Sequence, residues 1–252
     1  MKINLLASVF PLFISSVMCS MLVSCGGDSI SDIPPSAAQE KALSQVQKTA
    51  DAAAYANVVQ ALYISYFGRP ADPLGLANLE IALQKAGAPT QINALSDAYE
   101  TNPAVKALVD SFGESTESQN LYAGGSVTAF VQAIYHNVLN RDPDPSGQAF
   151  WVSAIQGDKL TLGHAALSIM AGALQNSTAQ GMADTLLIEN RMSVAIYFTD
   201  QVVQLDGVSS YAGDGAAQTA RAMLDGVTMT TSVSGFESTN VADTISQIIS
   251  RL

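Results

Sequence analysis

The fold of this chain is decided by one stretch, Phe67-Gly68-Arg69-Pro70-Ala71-Asp72-Pro73-Leu74-Gly75, which returns 72 residues later as Leu139-Asn140-Arg141-Asp142-Pro143-Asp144-Pro145-Ser146-Gly147. The apolar residues before each stretch repeat at the same offset. They are Tyr55, Val58, Val59, Leu62, Tyr63, Tyr66 and Phe67 in the first copy and Val127, Phe130, Val131, Ile134, Tyr135, Val138 and Leu139 in the second. Their spacing places each set on one face of a helix. The sequence therefore predicts one helix-turn-helix unit that occurs twice.

The Asp-Pro pair of each copy marks the expected start of the second helix of the unit. Asp72 and Asp144 are the predicted N-caps, because a carboxylate at that position accepts backbone N–H groups and favours the positive end of the helix dipole. Pro73 and Pro145 fit the first helical position, where the missing N–H costs no hydrogen bond. The glycine two residues further on has no side chain and would allow a neighbouring helix to approach closely.

The rest of the chain from residue 38 onward continues with helical periodicity, and we find no convincing run of alternating β-branched residues. Further helices are predicted at residues 91–99, 103–112, 162–174, 183–203, 216–224 and 241–249. The fourth of these is the longest and carries Leu187, Val194, Phe198 and Val202 on one face, so we expect it to support both copies. The predicted fold class is all-α, with residues 38–252 forming a helical domain built on two related helix-turn-helix repeats.

The N-terminal region has the pattern of an export signal. Lys2 is followed by an apolar run that ends in Leu22-Val23-Ser24-Cys25, which resembles the lipobox of bacterial lipoproteins. The resemblance implies cleavage between Ser24 and Cys25 and diacylation of the Cys25 thiol, and acyl chains give stable membrane anchoring. Residues 1–24 are the predicted signal peptide and residues 25–37 a flexible tether. We expect an exported protein, lipid-anchored to the membrane, and to the outer membrane in a Gram-negative organism.

The charge of the chain bears on its partners. The full sequence has 11 Lys and Arg against 22 Asp and Glu, for a formal net charge of −11. Nucleic acid is therefore an unexpected partner, since phosphate backbones are bound by clustered Lys and Arg. The two cysteines are Cys19, inside the signal, and Cys25, so the mature chain is expected to contain neither a disulfide nor a Cys-based metal site.

The two quoted stretches, together with Leu62-Tyr63 and Ile134-Tyr135 before them, resemble the bacterial domain-of-unknown-function 4214 family. The second copy is the closer match and continues to Phe150-Trp151. That family is a helical module of exported, S-layer and RTX-type proteins, and the segment order over residues 53–203 is also similar to the anchoring domain of an S-layer protein that binds lipopolysaccharide. The resemblance implies a surface glycan, lipopolysaccharide or S-layer protein as the partner. The sequence departs from the family in two respects, because it has the predicted lipid anchor of its own and lacks the calcium-binding nonapeptide repeats of RTX proteins.

Two arginines at equivalent places, Arg69 and Arg141, allow two interpretations. Each can bond helix-end carbonyls or a nearby carboxylate, which is a structural role. Alternatively, a guanidinium beside Tyr63, or beside Tyr135 and Trp151, can hold a carboxylate or phosphate sugar while a ring stacks on it. Both alternatives stay open at the level of the sequence.

The sequence gives little support for metal or catalytic chemistry. Asp142 and Asp144 imitate the start of a calcium loop, but the twelfth position is Ser153 and not Glu, so a calcium site there is only the weaker alternative to capping. His136 and His164, the two histidines of the chain, lack the spacing of paired metal ligands, and no nucleophile-elbow motif occurs. We therefore expect no cofactor, no metal and no enzyme activity.

The sequence as a whole predicts a cell-envelope lipoprotein with a non-catalytic helical module that binds or organises surface glycan or S-layer-type protein. Two alternatives remain. One is a hydrolase acting on envelope polysaccharide, which requires a pocket with paired carboxylates or an activated nucleophile. The other is a purely structural factor for assembly or tethering.

Overall fold

The computed structural model describes residues 50–122 and 124–250. The helices are α1 Ala50–Ala53, α2 Ala56–Phe67, α3 Pro73–Lys85, α4 Ile92–Tyr99, α5 Pro103–Glu114, α6 Thr116–Tyr122, α7 Val127–Leu139, α8 Pro145–Gln156, α9 Leu162–Gln175, α10 Ala179–Gln204, α11 Gly213–Asp225, α12 Val233–Phe236 and α13 Ala242–Ile249, with a π-helical turn at Glu237–Val241. These ranges contain no β-strand. The predicted all-α class is confirmed. The predicted signal peptide, tether and lipidation site lie outside the described residues.

Helix α2 lies at the centre of the molecule. All ten of its residues from Val58 to Phe67 are buried, whereas a helix at the surface of a domain buries one face only. It packs against α3, α6, α7, α9 and α10. The apolar positions that repeat in α7 are buried as well, apart from the half-buried Val127, so both copies contribute to the same core.

The two Asp-Pro turns have the same local geometry. Asp72 accepts the Gly75 N–H at 2.7 Å, and Asp144 accepts the N–H groups of Ser146 and Gly147. The residue that follows each preceding helix is left-handed, with a φ of 63° at Gly68 and 50° at Asn140. These features lie 72 residues apart, as in the sequence pattern; that the repeat is a true duplication stays a prediction.

Helix α10 is the longest of the described helices, with 26 residues. Leu187, Val194, Phe198 and Val202 are buried on it, as predicted. It contacts α2, α3, α7 and α9, so it touches both copies. The C-terminal helices α11, α12 and α13 also pack on it, and Val227, Val241, Ile245 and Ile248 belong to the same buried cluster. The tail is therefore part of the core.

Several local features differ from the expected helices, among them the short α1 and α12, which were not predicted. Helix α6 was not predicted, because the sequence Thr116–Tyr122 has a single aliphatic residue and its one buried residue is a serine. Helix α10 begins at Ala179, four residues earlier than expected, since the Thr178 hydroxyl caps it by accepting the Gly181 N–H at 3.1 Å. No helix in the described ranges is both long enough and apolar enough to span a membrane.

Gly75 shows why the second helix of the unit needs a residue without a side chain. A Cβ placed there would lie closer than 3.0 Å to the Tyr63 hydroxyl, which donates to the Asp72 carboxylate at 3.2 Å. The approaching group is thus a side chain of the preceding helix, and not a neighbouring helix backbone. At Gly147 the equivalent distance to the Tyr135 hydroxyl is 3.2 Å, which is less restrictive.

We expect Gly75→Ala to lower the free energy of unfolding by about 1 to 3 kcal/mol, because the added methyl overpacks the contact with Tyr63. Gly147→Ala is the matched control. Its free energy of unfolding should change little, because the helix propensity of alanine, worth about 1 kcal/mol, offsets the overpacking. Urea unfolding followed by circular dichroism measures both. Combining Gly75→Ala with Tyr63→Phe should recover part of the loss. Equal losses at the two glycines, or no recovery without the hydroxyl, would contradict the argument.

Candidate functional site

The first turn, residues 68–72, is anchored by a buried ion-pair network. Arg69, whose side chain is 10% exposed, donates two hydrogen bonds to the Glu117 carboxylate, at 2.7 and 2.5 Å. Arg221 donates to the same carboxylate at 3.1 Å and to the Phe67 carbonyl at 2.6 Å. A two-point arginine–carboxylate contact is among the stronger charge-assisted pairs. The structural interpretation of Arg69 therefore fits its surroundings.

The carbonyls of this turn have partners from distant parts of the chain. The Tyr211 hydroxyl donates to the Pro70 carbonyl at 2.7 Å, and burial raises the pKa of Tyr211 to about 12, so the hydroxyl keeps its proton. Thr199 of α10 donates to the Ala71 carbonyl at 2.7 Å. The Arg69 guanidinium also donates to the Pro70 carbonyl, at 3.0 Å. Residues 68–71 are buried and Asp72 is partly exposed, and these hydrogen bonds leave little of Arg69 for a ligand.

The second turn, residues 140–144, has the same chemistry in an open setting. Arg141 donates to Asp184 at 3.2 and 2.7 Å, as Arg69 does to Glu117, yet the Arg141 side chain is 33% exposed. Its guanidinium carbon lies 5.7 Å from the centroid of the Tyr135 ring. In the turn itself only Pro143 is buried.

An aromatic row continues from this turn onto α8. The Trp151 indole N–H donates to the Tyr135 hydroxyl at 3.1 Å, and the rings of Phe150 and Trp151 meet edge to face at 5.0 Å. Phe150 is 61% exposed, the largest fraction among the exposed large hydrophobic residues. We call Arg141, Phe150 and Trp151, together with the buried Tyr135 beneath them, the aromatic surface; Phe150 is its exposed ring and Trp151 is half-buried. Three of them were candidate binding residues in the sequence; Phe150 was named only within the family motif.

The aromatic surface is open because α8 has few neighbours. Helix α8 contacts α7 and α9, whereas its counterpart α3 contacts α1, α2, α5 and α10. Five residues of α3 are buried, but only Ile155 of α8 is. Helix α8 of the second copy therefore leaves more of its surface open to a partner than α3 of the first copy does.

The comparison with known proteins identifies part of this region. Residues 109–173 match the model of the family described as Domain of unknown function (DUF4214). We call residues 109–173 the DUF4214 segment, after the family model that they match. It includes the second turn and helix α8, the copy with the closer predicted resemblance, and it is shorter than the expected span of 53–203. Comparison with curated proteins and with solved structures gives no match.

The weak calcium alternative in the DUF4214 segment gains no support. The Asp144 carboxylate is engaged in capping and also accepts the Ser146 hydroxyl. Asp142 is mostly exposed, and its carboxylate lies 3.0 Å from His136 Nε2. No group of three or more His, Cys, Asp or Glu residues converges as a metal site within the described part of the chain. Asp142 and Asp144 therefore remain a turn residue and a helix cap.

The second histidine, His164, lies in a small polar cluster between α4, α5 and α9. Its ring stacks on Tyr99 with centroids 3.8 Å apart, and its Nδ1 lies 3.3 Å from a Glu100 oxygen. The Tyr99 hydroxyl contacts Asp110 and Lys106, at 2.7 and 2.6 Å. Burial lowers the pKa of His164, against the opposing effects of Glu100 and Asp110.

The sequence analysis missed several partners of the site residues, namely Glu117, Asp184, Tyr211, Arg221 and Thr199. Glu117 is 48 residues from Arg69, and Tyr211 is 142 residues from it. Such pairs depend on tertiary packing, which periodicity does not encode. The sequence contained one indication of such partners, since two arginines at equivalent positions imply two carboxylates that neutralise them.

The two arginines should differ in their effect on stability. Arg69→Met should cost about 1 to 2 kcal/mol, because the Glu117 side chain is 23% exposed and stays paired with Arg221. Arg141→Met should cost more, about 3 kcal/mol, because the Asp184 side chain is only 4% exposed and keeps just the neutral Gln180 as a donor. Denaturant unfolding of both variants tests this. A larger loss for Arg69→Met than for Arg141→Met would show that the first network carries more of the fold.

His164 should make stability dependent on pH. Because its pKa is lower in the folded state than the ordinary value of about 6.5, the unfolded chain binds the proton more readily. Its contribution is complete above about pH 6.5 and declines as the pH falls toward the lowered value. Unfolding should be compared at about pH 7.5 and pH 5. His164→Gln should reduce the difference in the free energy of unfolding between the two pH values. His136→Gln, at an exposed histidine, is the control. If His164→Gln shows the same difference as the wild type, the assignment to His164 is wrong.

Proposed function

We propose that the protein is a non-catalytic cell-envelope lipoprotein whose DUF4214 segment binds surface glycan. The observation that carries the proposal is the contrast between the two copies: the first arginine is enclosed, while the second borders an exposed aromatic surface. A ring such as Phe150 offers a flat apolar face at low conformational cost, and sugar rings present apolar C–H faces of similar size. Arg141 supplies hydrogen-bond donors at the edge of that face.

The charges near the aromatic surface favour binding over acid–base chemistry. Asp184 is paired with Arg141 and Gln180, and Asp144 caps α8. Carboxylates engaged in this way hold the fold, whereas a general acid or base must reach a reacting group. We therefore place the envelope hydrolase second. A purely structural tethering factor is the other alternative, since the same exposed face can contact a protein.

The lipid anchor is the second part of the proposal. It depends on the motif ending at Cys25 and on the tether of residues 25–37, which would keep the helical domain within about 20 Å of the membrane surface. At that distance the aromatic surface can contact glycan polymers that are attached to the same membrane. Lipopolysaccharide and S-layer-type protein are accordingly the partners to test.

The test measures binding of the purified full-length protein to lipopolysaccharide and, separately, to extracted envelope proteins. Phe150→Ala and Trp151→Ala should each weaken lipopolysaccharide binding by about fivefold or more, because central aromatic anchors contribute more than about 1 kcal/mol. Trp151→Phe keeps a ring and should retain most of the binding. Leu205→Ala, at an exposed residue just after the C-terminal end of α10, is the matched control.

Three outcomes distinguish the alternatives. Binding only to an envelope protein would favour the structural factor, and release of soluble sugar would favour the hydrolase. Equal binding by Phe150→Ala and the wild type would exclude the aromatic surface. Cys25→Ser separates the anchor from the binding site, since it should abolish retention in the membrane fraction and leave the affinity for lipopolysaccharide unchanged.

A further inference from the structure

A cleft of about 630 Å³ lies on the opposite copy, between α3, the corner joining α5 to α6, and residues 208–217. Its volume is in the range of small-molecule sites in proteins. A shallower hollow of about 460 Å³ continues from it between α3 and α5. Ala82, Leu108 and Ser111 line both, so the two form one elongated groove.

The walls of the groove are mainly apolar. Leu79 and Ala82 line it from α3, Leu108 from α5, and Val208 and Ala212 from the segment before α11. Its extension toward Ala86 is lined by alanines, one leucine, one serine and one lysine. An elongated space with small apolar side chains fits a hydrocarbon chain, which gains free energy by leaving water.

The charges of the larger cleft favour a cation there, whereas Lys85 lines only the extension. Arg69 and Glu117 line the floor of the larger cleft but neutralise each other through two hydrogen bonds. Asp72 is engaged by the Gly75 N–H and the Tyr63 hydroxyl. Asp214 stands exposed at the rim, and its carboxylate has no ion pair or hydrogen bond with any residue in the ranges 50–122 and 124–250.

We propose that this groove binds a small organic cation with an apolar chain, the chain lying along α3 and α5 and the ammonium group beside Asp214. The overall charge of −11 acts in the same direction, because it attracts cations and repels carboxylates of the same chain length. The site is on a different surface from Phe150, so it is independent of glycan binding.

The test compares octylammonium with octanoate, which have the same chain length and opposite charge, by titration calorimetry on the purified full-length protein. Octylammonium should bind at least about fivefold more tightly than octanoate. Asp214→Asn should weaken octylammonium binding by about two- to fivefold, the range of exposed ion pairs. Because Asp214 is exposed, this variant is expected to fold normally.

Ala82→Trp should abolish binding, because its ring fills the part of the groove that the two hollows share. Ala154→Trp, at the equivalent position of α8, is the matched control and should bind octylammonium as the wild type does. Equal affinity for octanoate and octylammonium, unchanged binding in a folded Ala82→Trp variant, or no effect of Asp214→Asn would each overturn the proposal. If Ala82→Trp does not fold, the comparison of the two ions and Asp214→Asn still decide it.

Discussion

The constraint on which the rest of the structure depends is the burial of a turn. Residues 68–71 are all buried, although a turn leaves backbone N–H and C=O groups without helical partners. Such groups are costly unless hydrogen-bonded. The Ala71 N–H donates to the Gln60 side chain at 2.9 Å, and the Ala71 carbonyl accepts from Thr199. Gln60 in turn donates to Thr199 at 2.8 Å, which closes a buried polar network.

These partners come from α2, α10 and the C-terminal tail, and they explain why the molecule has one core. Arg221 satisfies the Phe67 carbonyl at the end of α2, and Tyr211 satisfies the Pro70 carbonyl. Removing the tail would leave both carbonyls in an apolar setting with fewer donors. The end of α7 has a similar arrangement, because the buried Arg191 of α10 donates to the carbonyls of His136 and Asn137. Helix α10 thus supports both copies through polar as well as apolar contacts.

Sequence reasoning succeeded where the determinant is local. The caps Asp72 and Asp144, the position of the following prolines and the buried stripe of α7 each follow from local residues. Helix α2 differs, because it is buried on all sides and not on the predicted face alone. Sequence reasoning did not identify the partners of Arg69 and Arg141, because Glu117 and Asp184 lie at different offsets, 48 and 43 residues away. It also could not tell that α8 is exposed and α3 enclosed. Both helices follow the same Asp-Pro start, and the difference arises from what other segments cover.

The different exposure of Arg69 and Arg141 gives the two copies different roles. A residue that holds a buried turn cannot also be released to a ligand, because leaving Glu117 or the Pro70 carbonyl without a donor would cost free energy. In the second copy the arginine side chain is 33% exposed, so it can reach a ligand while it keeps its pair with the buried Asp184. The Trp151 ring is held by its hydrogen bond to the hydroxyl of the buried Tyr135, and the exposed Phe150 ring lies edge to face against Trp151. In a chain this acidic, attraction to a phosphate-bearing polymer cannot come from net charge. Contact at this surface must therefore depend on ring stacking and on the directed donors of Arg141, which makes it sensitive to the shape of the sugar and only weakly sensitive to salt.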